Sequence, residues 1–223
     1  MVTMQTSPSI KAVVFDLDGL MFNTEEIFNK TGQELLRRRG KQFSNELVSQ
    51  MMGRRPTEAF TIMIERLDLT DSIEDLRLES DEIFDRLLAV HLAPMPGLFE
   101  LLEHIEAREV PKAVATSSPR VYLENLLDRF ELLDRFPITL SAEDVTHGKP
   151  HPEIYLQTAE RIGIAAEEMM VLEDSEVGTR AAAAANAVAV AVPHDHSRSH
   201  NFSVATYVAT GLNDPHLREL IGR

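Results

Sequence analysis

The chain has 223 residues and a formal net charge of −14, with 22 basic against 36 acidic side chains. Phosphate contacts to nucleic acid need clustered Lys and Arg, so this balance argues against a nucleic-acid partner. With 43% hydrophobic residues, 26% charged residues and no cysteine, the chain is able to bury a core, and disulfides, thiolate catalysis and zinc–cysteine sites are excluded.

The first residues, MVTMQTSPSIK, lack the basic head and apolar centre of a signal peptide. No apolar stretch approaches the ~18 residues that suggest a membrane span. The expectation is a cytoplasmic protein with no membrane partner, a monomer or weak homo-oligomer. The apolar run Ala12–Phe15 then ends in Asp16 and Asp18, one residue apart, before Gly19. Side chains at i and i+2 of a strand share a face, so the two acids sit close together. Their repulsion must be relieved by a cation or a bound proton, or by water at an exposed turn.

Residues 24 to about 93 show helical periodicity alone, rich in Glu and Arg, and Asn23 with Glu26 reads as a capping box opening the block. The prolines of HLAPMPG, 91–97, close it. This predicts a helical insertion, 23–93, hung on two linkers, Phe22–Thr24 and Ala93–Gly97. Beyond it, short apolar strands at 111–116, 169–173 and 187–192 join the first at 11–16. They alternate with helices at 98–108, 120–129, 152–162 and 177–185. Strands without polar alternation, each followed by a helix, predict a doubly wound parallel sheet covered on both faces, formed by 1–22 with 94–223. The fold class is therefore α/β. The alanine run 181–185 is the close-packing face of a helix, and Asn186 supplies its left-handed C′ position.

In such sheets ligands bind beyond the carboxyl ends of the strands, where Asp16, Thr116 and Asp174 all fall. Four segments there carry chemistry: Asp16–Leu17–Asp18–Gly19, Ala115–Thr116–Ser117–Ser118, HGKPHPEIY (147–155) with Lys149, and VLEDSEVG (171–178) with Glu173 and Asp174. Carboxylate oxygens from two strands suit Mg²⁺. One aspartate can attack phosphorus, and a second acid can protonate the leaving oxygen and then deprotonate water. Hydroxyl and amide donors bind phosphate oxygens, and a lysine offsets developing charge. His147 is expected only to shape its turn. HDHSRSH, 194–200, is expected to be a solvated loop because it lacks a helical His pair.

These four segments, in this order, resemble the haloacid dehalogenase superfamily of aspartate-nucleophile phosphotransferases. The helical insertion after the first resembles the branch with a C1-type cap, which includes β-phosphoglucomutase and phosphoglycolate phosphatase. The resemblance implies a Rossmann-like core with an inserted helical C1 cap domain, and a Mg²⁺-dependent phosphatase acting on a small phosphorylated metabolite. It assigns Asp16 as nucleophile, Asp18 as general acid/base and Lys149 as the bridge between Asp16 and phosphate. Thr116 and the Ser117 amide bind phosphate. The metal is held by Asp16, the Asp18 backbone carbonyl and Asp174, with Glu173 in its first or second shell. An acid at Asp18 points to phosphate-ester chemistry, because the superfamily's dehalogenases lack one there. Arg54 and Arg55 of the cap fall where family members contact the distal part of the substrate. A phosphomutase is the alternative; the mutase carries a cap histidine where this chain has Phe28.

Overall fold

The computed structural model describes residues 9–51 and 56–221, and the contacts divide them into two compact units. One holds the described residues up to Phe22 and from Pro94 onward; the other is Asn23–Ala93. Arg54 and Arg55 lie outside the described residues. Among these, no helix is long and apolar enough to cross a membrane.

The first unit is a six-stranded, wholly parallel sheet. In chain order its strands are β1 (Ala12–Phe15), β2 (Lys112–Ala115), β3 (Ile138–Leu140), β4 (Met169–Glu173), β5 (Val188–Ala191) and β6 (Tyr207–Val208). They lie in the order β3-β2-β1-β4-β5-β6. The chain winds outward from β1 to β3, then returns to the other side of β1 for β4. That reversal leaves a crevice at the carboxyl ends of β1, β2 and β4, the place where ligands bind in open α/β sheets. Every residue of β1, β4 and β5 is buried, which is why these strands carry Val, Ala, Met and Leu without alternation.

The sequence foresees four strands; β3 and β6 are additions. They are the two edges, three and two residues long, and only Leu140 of these five residues is buried. Runs this short and half-exposed carry no readable period. The helices of this unit are α5 (Leu98–Glu106), α6 (Arg120–Asp128), α7 (Glu153–Ile162), α8 (Glu176–Ala184) and α9 (Pro215–Ile221). Tyr155 and Ala159 of α7 and Ala181 and Ala182 of α8 pack with Val14, Ala113 and Val171 of the sheet in one buried cluster. Small alanines let α8 approach the strands closely, and Asn186 takes the left-handed conformation after it (φ 60°).

The second unit is all-helical: α1 (Thr24–Arg37), α2 (Asn45–Met51), α3 (Pro56–Leu67) and α4 (Ile73–His91). Its core gathers Leu35, Leu36, Leu47, Met63, Leu76 and Ile83. Ser72 caps α4 by accepting from the Asp75 amide at 3.1 Å. Arg39 binds Asp71 and Glu79 across the connections between helices, at 2.7 and 2.5 Å.

Asn23 corrects one expectation. Its side chain makes no cap bond to the start of α1. Instead its Oδ1 accepts from the Ala93 amide at 2.8 Å and its Nδ2 donates to the His91 carbonyl at 3.1 Å. It ties the two ends of the helical unit together, beside a backbone bond from Asn23 N to Ala93 O of 3.1 Å. In the sheet unit Phe22 and Pro94 form an antiparallel bridge next to this pair. Asn23→Ala keeps the backbone bond and removes the side-chain bonds to Ala93 and His91, together with a 3.4 Å bond from Nδ2 to Glu26 Oε2. It should lower the unfolding free energy by about 1 kcal/mol in a denaturant titration. An unchanged midpoint would show that the backbone pairing alone holds the linkers.

Candidate active site

β1 delivers Asp16 to the crevice because the pleat alternates faces. Leu17 turns into the core and is fully buried, while Asp16 and Asp18 turn the other way. Asp16 is pinned beside β4 by a bond from its amide to the Leu172 carbonyl, 3.0 Å. Gly19 follows with φ 74°. A Cβ there would come within 2.4 Å of Asp174 Oδ2, so glycine is required by both conformation and space.

Lys149 arrives from the loop before α7 and is 5% exposed. Its ammonium donates to Asp16 Oδ1 at 2.5 Å, Glu173 Oε1 at 2.6 Å and the Ala115 carbonyl at 3.0 Å. Its three donors are thereby shared among the ends of β1, β4 and β2. The ammonium also lies 5.0 Å from the centre of the Tyr155 ring, over its face. Glu173 is nearly fully buried and saturated: Tyr155 donates to Oε1, and Ser175 to Oε2 at 3.1 Å. The start of α8 closes against it, where a Cβ on Gly178 would fall 1.8 Å from Glu173 Oε1.

Asp18 is held differently. Ser118 Oγ donates to its Oδ2 at 2.5 Å and the Tyr122 hydroxyl to its Oδ1 at 3.0 Å. Thr116, buried, accepts from the Ser118 amide at 3.0 Å. Ser117 is exposed, and its N–H has no acceptor among the described residues. The structure therefore brings Asp16, Lys149 and Glu173 into direct contact and sets Asp18 on the neighbouring turn with Ser118.

Three residues of this cluster carry no assigned role in the sequence reading, although Ser118 stands in the 115–118 segment that it singles out. Ser118 and Tyr122, at an i, i+4 spacing, could have been read as one helix face beside Thr116. His194 is the third. Its Nε2 lies 2.8 Å from Asp174 Oδ2, and the ring is 13% exposed. The expectation of a solvated loop at 194–200 fails at that residue, which packs into the site from the segment following β5. His200 is also engaged, accepting from the Glu176 amide at 3.4 Å.

Burial pushes the Asp16 carboxyl well above the ordinary aspartate range; Lys149 pulls it down, and Glu173, Asp174 and Asp18 push it back up. Burial alone would lower the Lys149 ammonium, yet the charges of Asp16 and Glu173 hold it well above the usual lysine range. Burial and the Glu173 charge raise the Tyr155 phenol, which stays a donor. Asp16, Glu173 and Asp174 each present a carboxylate oxygen within 4.8 Å of the others. A buried, all-oxygen donor set of this kind fits a hard divalent cation.

The family model for haloacid dehalogenase-like hydrolases matches residues 13–192. This chain belongs to that family. Curated relatives include a phosphorylated carbohydrates phosphatase of Thermotoga maritima, 32% identical over 173 residues, covering 78% of this chain and 80% of the relative. The fructose-1-phosphate phosphatase of Escherichia coli is 31% identical over 171 residues, covering 76% and 89%. A haloacid dehalogenase family hydrolase of Deinococcus radiodurans, crystallised with bound phosphate and sodium, superposes with a TM-score of 0.82. It is 25% identical and matches over 96% of this chain and 97% of its own. A β-phosphoglucomutase of Clostridium difficile shares the fold (TM-score 0.73, 20% identity, 96% and 97% covered).

The raised Asp16 pKa makes a stability claim. A carboxyl that holds its proton more tightly when folded adds stability that is complete below the unfolded pKa. That stability is lost as pH rises through the folded value. Near neutral pH an ionised Asp16 therefore destabilises the metal-free protein. Asp16→Asn should raise its melting temperature at pH 7, by roughly 2–4 °C per kcal/mol recovered, and the gain should shrink towards pH 4. A drop in melting temperature would mean that the attraction to Lys149 outweighs the burial cost.

Proposed function

We propose that this hydrolase releases inorganic phosphate from a small phosphomonoester, a sugar phosphate or a nucleoside phosphate, through a phosphorylated Asp16. The observation that carries this reading is the Lys149 ammonium shared between Asp16 and Glu173, with a second acid, Asp18, oriented two residues on by Ser118 and Tyr122. The phosphatase relatives support it. Lys149 draws the Asp16 carboxyl toward its ionised form, against the burial and the neighbouring carboxylates, and aims it as a nucleophile requires. The freed Asp16 oxygen forms the bond to phosphorus as the ester oxygen leaves, and Asp18 supplies that oxygen with a proton. In the second half Asp18 takes a proton from water, the water oxygen bonds to phosphorus, and the Asp16 carboxylate departs.

Thr116 Oγ1 and the Ser117 amide, at the end of β2, would donate to the phosphate oxygens. Asp16, the Asp18 carbonyl and Asp174 would hold Mg²⁺, with Glu173 acting on the centre through its bond to Lys149. When bound, the ion supplies positive charge that offsets the carboxylates and the phosphoryl oxygens. His194 would fix the Asp174 carboxylate by its 2.8 Å bond. A phosphomutase is the second reading, favoured by the shared fold with β-phosphoglucomutase. Against it stands Phe28, at the position where the family resemblance puts a cap histidine in the mutase: its ring stacks on Phe84 and has no group to exchange a proton.

A panel of phosphorylated metabolites assayed for free phosphate with Mg²⁺ tests this directly. Sugar or nucleoside phosphates should be hydrolysed, excess chelator should silence the reaction, and Ca²⁺ should inhibit because its larger coordination shell misaligns the nucleophile. Asp16→Asn should abolish turnover. Full activity in excess chelator would overturn the metal assignment. Activity within tenfold of the parent in Asp16→Asn would overturn the nucleophile. Isomerised substrate with little phosphate release would install the mutase instead.

A further inference from the structure

The loop that carries Lys149 holds a second cluster that the reaction does not use. His147 and His151 flank Lys149 in sequence, and Glu153 opens α7 just beyond them. His147 Nδ1 lies 2.9 Å from Glu153 Oε2, and His151 Nδ1 lies 3.8 Å from the same oxygen. The two imidazole rings are 4.7 Å apart. One ligand atom from each of the three residues falls within 4.8 Å of the other two. Both histidines are open to solvent, at 64% and 51% side-chain exposure.

Glu153 is fixed before any ion arrives. Its Oε1 accepts from the Thr146 amide at 2.8 Å and its Oε2 from the His147 amide at 3.0 Å. Those bonds and the His147 ring hold its carboxyl down to about 2, so it is an anion at all working pH. The Glu153 amide donates to His151 Nδ1 at 3.3 Å, a long bond that an ion on that nitrogen would replace. Two imidazoles and one carboxylate, accessible from outside and already gathered around one oxygen, go beyond what a turn needs.

We propose that His147, His151 and Glu153 form a surface site for a divalent transition-metal ion of the zinc class, separate from the carboxylate cluster at the strand ends. Metal–ligand bonds of ~2.0–2.2 Å in a tetrahedron separate the donors by roughly 3.3–3.5 Å. The observed 2.9 and 3.8 Å bracket that spacing, so small ring rotations complete the triad and leave a fourth position for water. Imidazole nitrogen selects zinc, nickel or copper over magnesium, which takes oxygen ligands. The two clusters therefore sort their ions by chemistry. An ion here would tie His147 to His151 across Lys149 and restrain the loop that positions the ammonium. Because it binds the folded chain, it should also raise the melting temperature.

The test is calorimetric titration of Zn²⁺ into the full-length untagged protein with Mg²⁺ in large excess, repeated with Co²⁺ followed by its visible absorption. One equivalent of Zn²⁺ should bind with micromolar affinity, and Co²⁺ should give the intense bands of four-coordination. Both should survive in Asp174→Asn, which disables the carboxylate cluster. Each of His147→Gln and His151→Gln should weaken binding at least tenfold and abolish the Zn²⁺-induced rise in melting temperature. Both side chains are exposed, so these variants should keep the parent's melting temperature without zinc. Absence of Zn²⁺ binding, binding unchanged in the histidine variants, or loss in Asp174→Asn alone would each overturn the proposal.

Discussion

The ammonium of Lys149, buried between Asp16 and Glu173, is the interaction on which the rest of the site depends. Each contact comes from the carboxyl end of a different strand: Asp16 beyond β1, the Ala115 carbonyl at the end of β2, Glu173 at the end of β4. A parallel sheet whose chain reverses at its central strand creates that convergence, and one cation holds it together. Removing Lys149 would leave two buried carboxylates, Asp16 and Glu173, uncompensated at several kcal/mol, whereas neutralising Asp16 leaves the ammonium its bond to Glu173. The ammonium is therefore the member the cluster cannot spare, and Tyr155, Ser175 and the bare face of Gly178 serve to keep Glu173 where Lys149 needs it.

The charge balance also explains why a metal belongs in the proposal. Asp16, Asp18, Glu173 and Asp174 carry four carboxylates around the crevice, against the single ammonium of Lys149. A phosphate ester approaching such a crevice meets net negative charge, inside a chain that is itself at −14. The burial that raises Asp16 states the same imbalance in another way. Stability is given up at the place where the chemistry is proposed, as is common in active sites.

What was legible in the sequence follows from where the information sits. The buried strands read clearly because two covered faces demand continuous Val, Ala and Met, and their ends read clearly because acids there have no structural purpose. Asp16, Glu173 and Asp174 are visible on that basis, Thr116 as a hydroxyl at a strand end, and Lys149 through the HGKPHPEIY segment that completes the set. β3 and β6 were not, since strands of three and two residues at sheet edges bury too little to impose a pattern. Asn23 reads in the sequence as a helix cap because the same amide serves a cap or a cross-link, and only the return of the chain at Ala93 decides between them. His194 reads in the sequence as solvated loop because a histidine after the last long strand has no period to betray its partner; Asp174, twenty residues earlier, becomes its neighbour only through the pairing of β4 with β5. Arg54 and Arg55 lie outside the described residues, so the readings of them rest on the sequence.

The Asp16 carboxylate held by Lys149 is proposed to take the phosphoryl group from the substrate. Borohydride reduces an acyl phosphate to an alcohol, so enzyme quenched into borohydride during turnover records which aspartate was phosphorylated. Peptide mass spectrometry of that material should find homoserine at position 16, dependent on substrate and absent from Asp16→Asn. Homoserine at position 18 instead, or an unreduced Asp16 while phosphate is released at full rate, would contradict it.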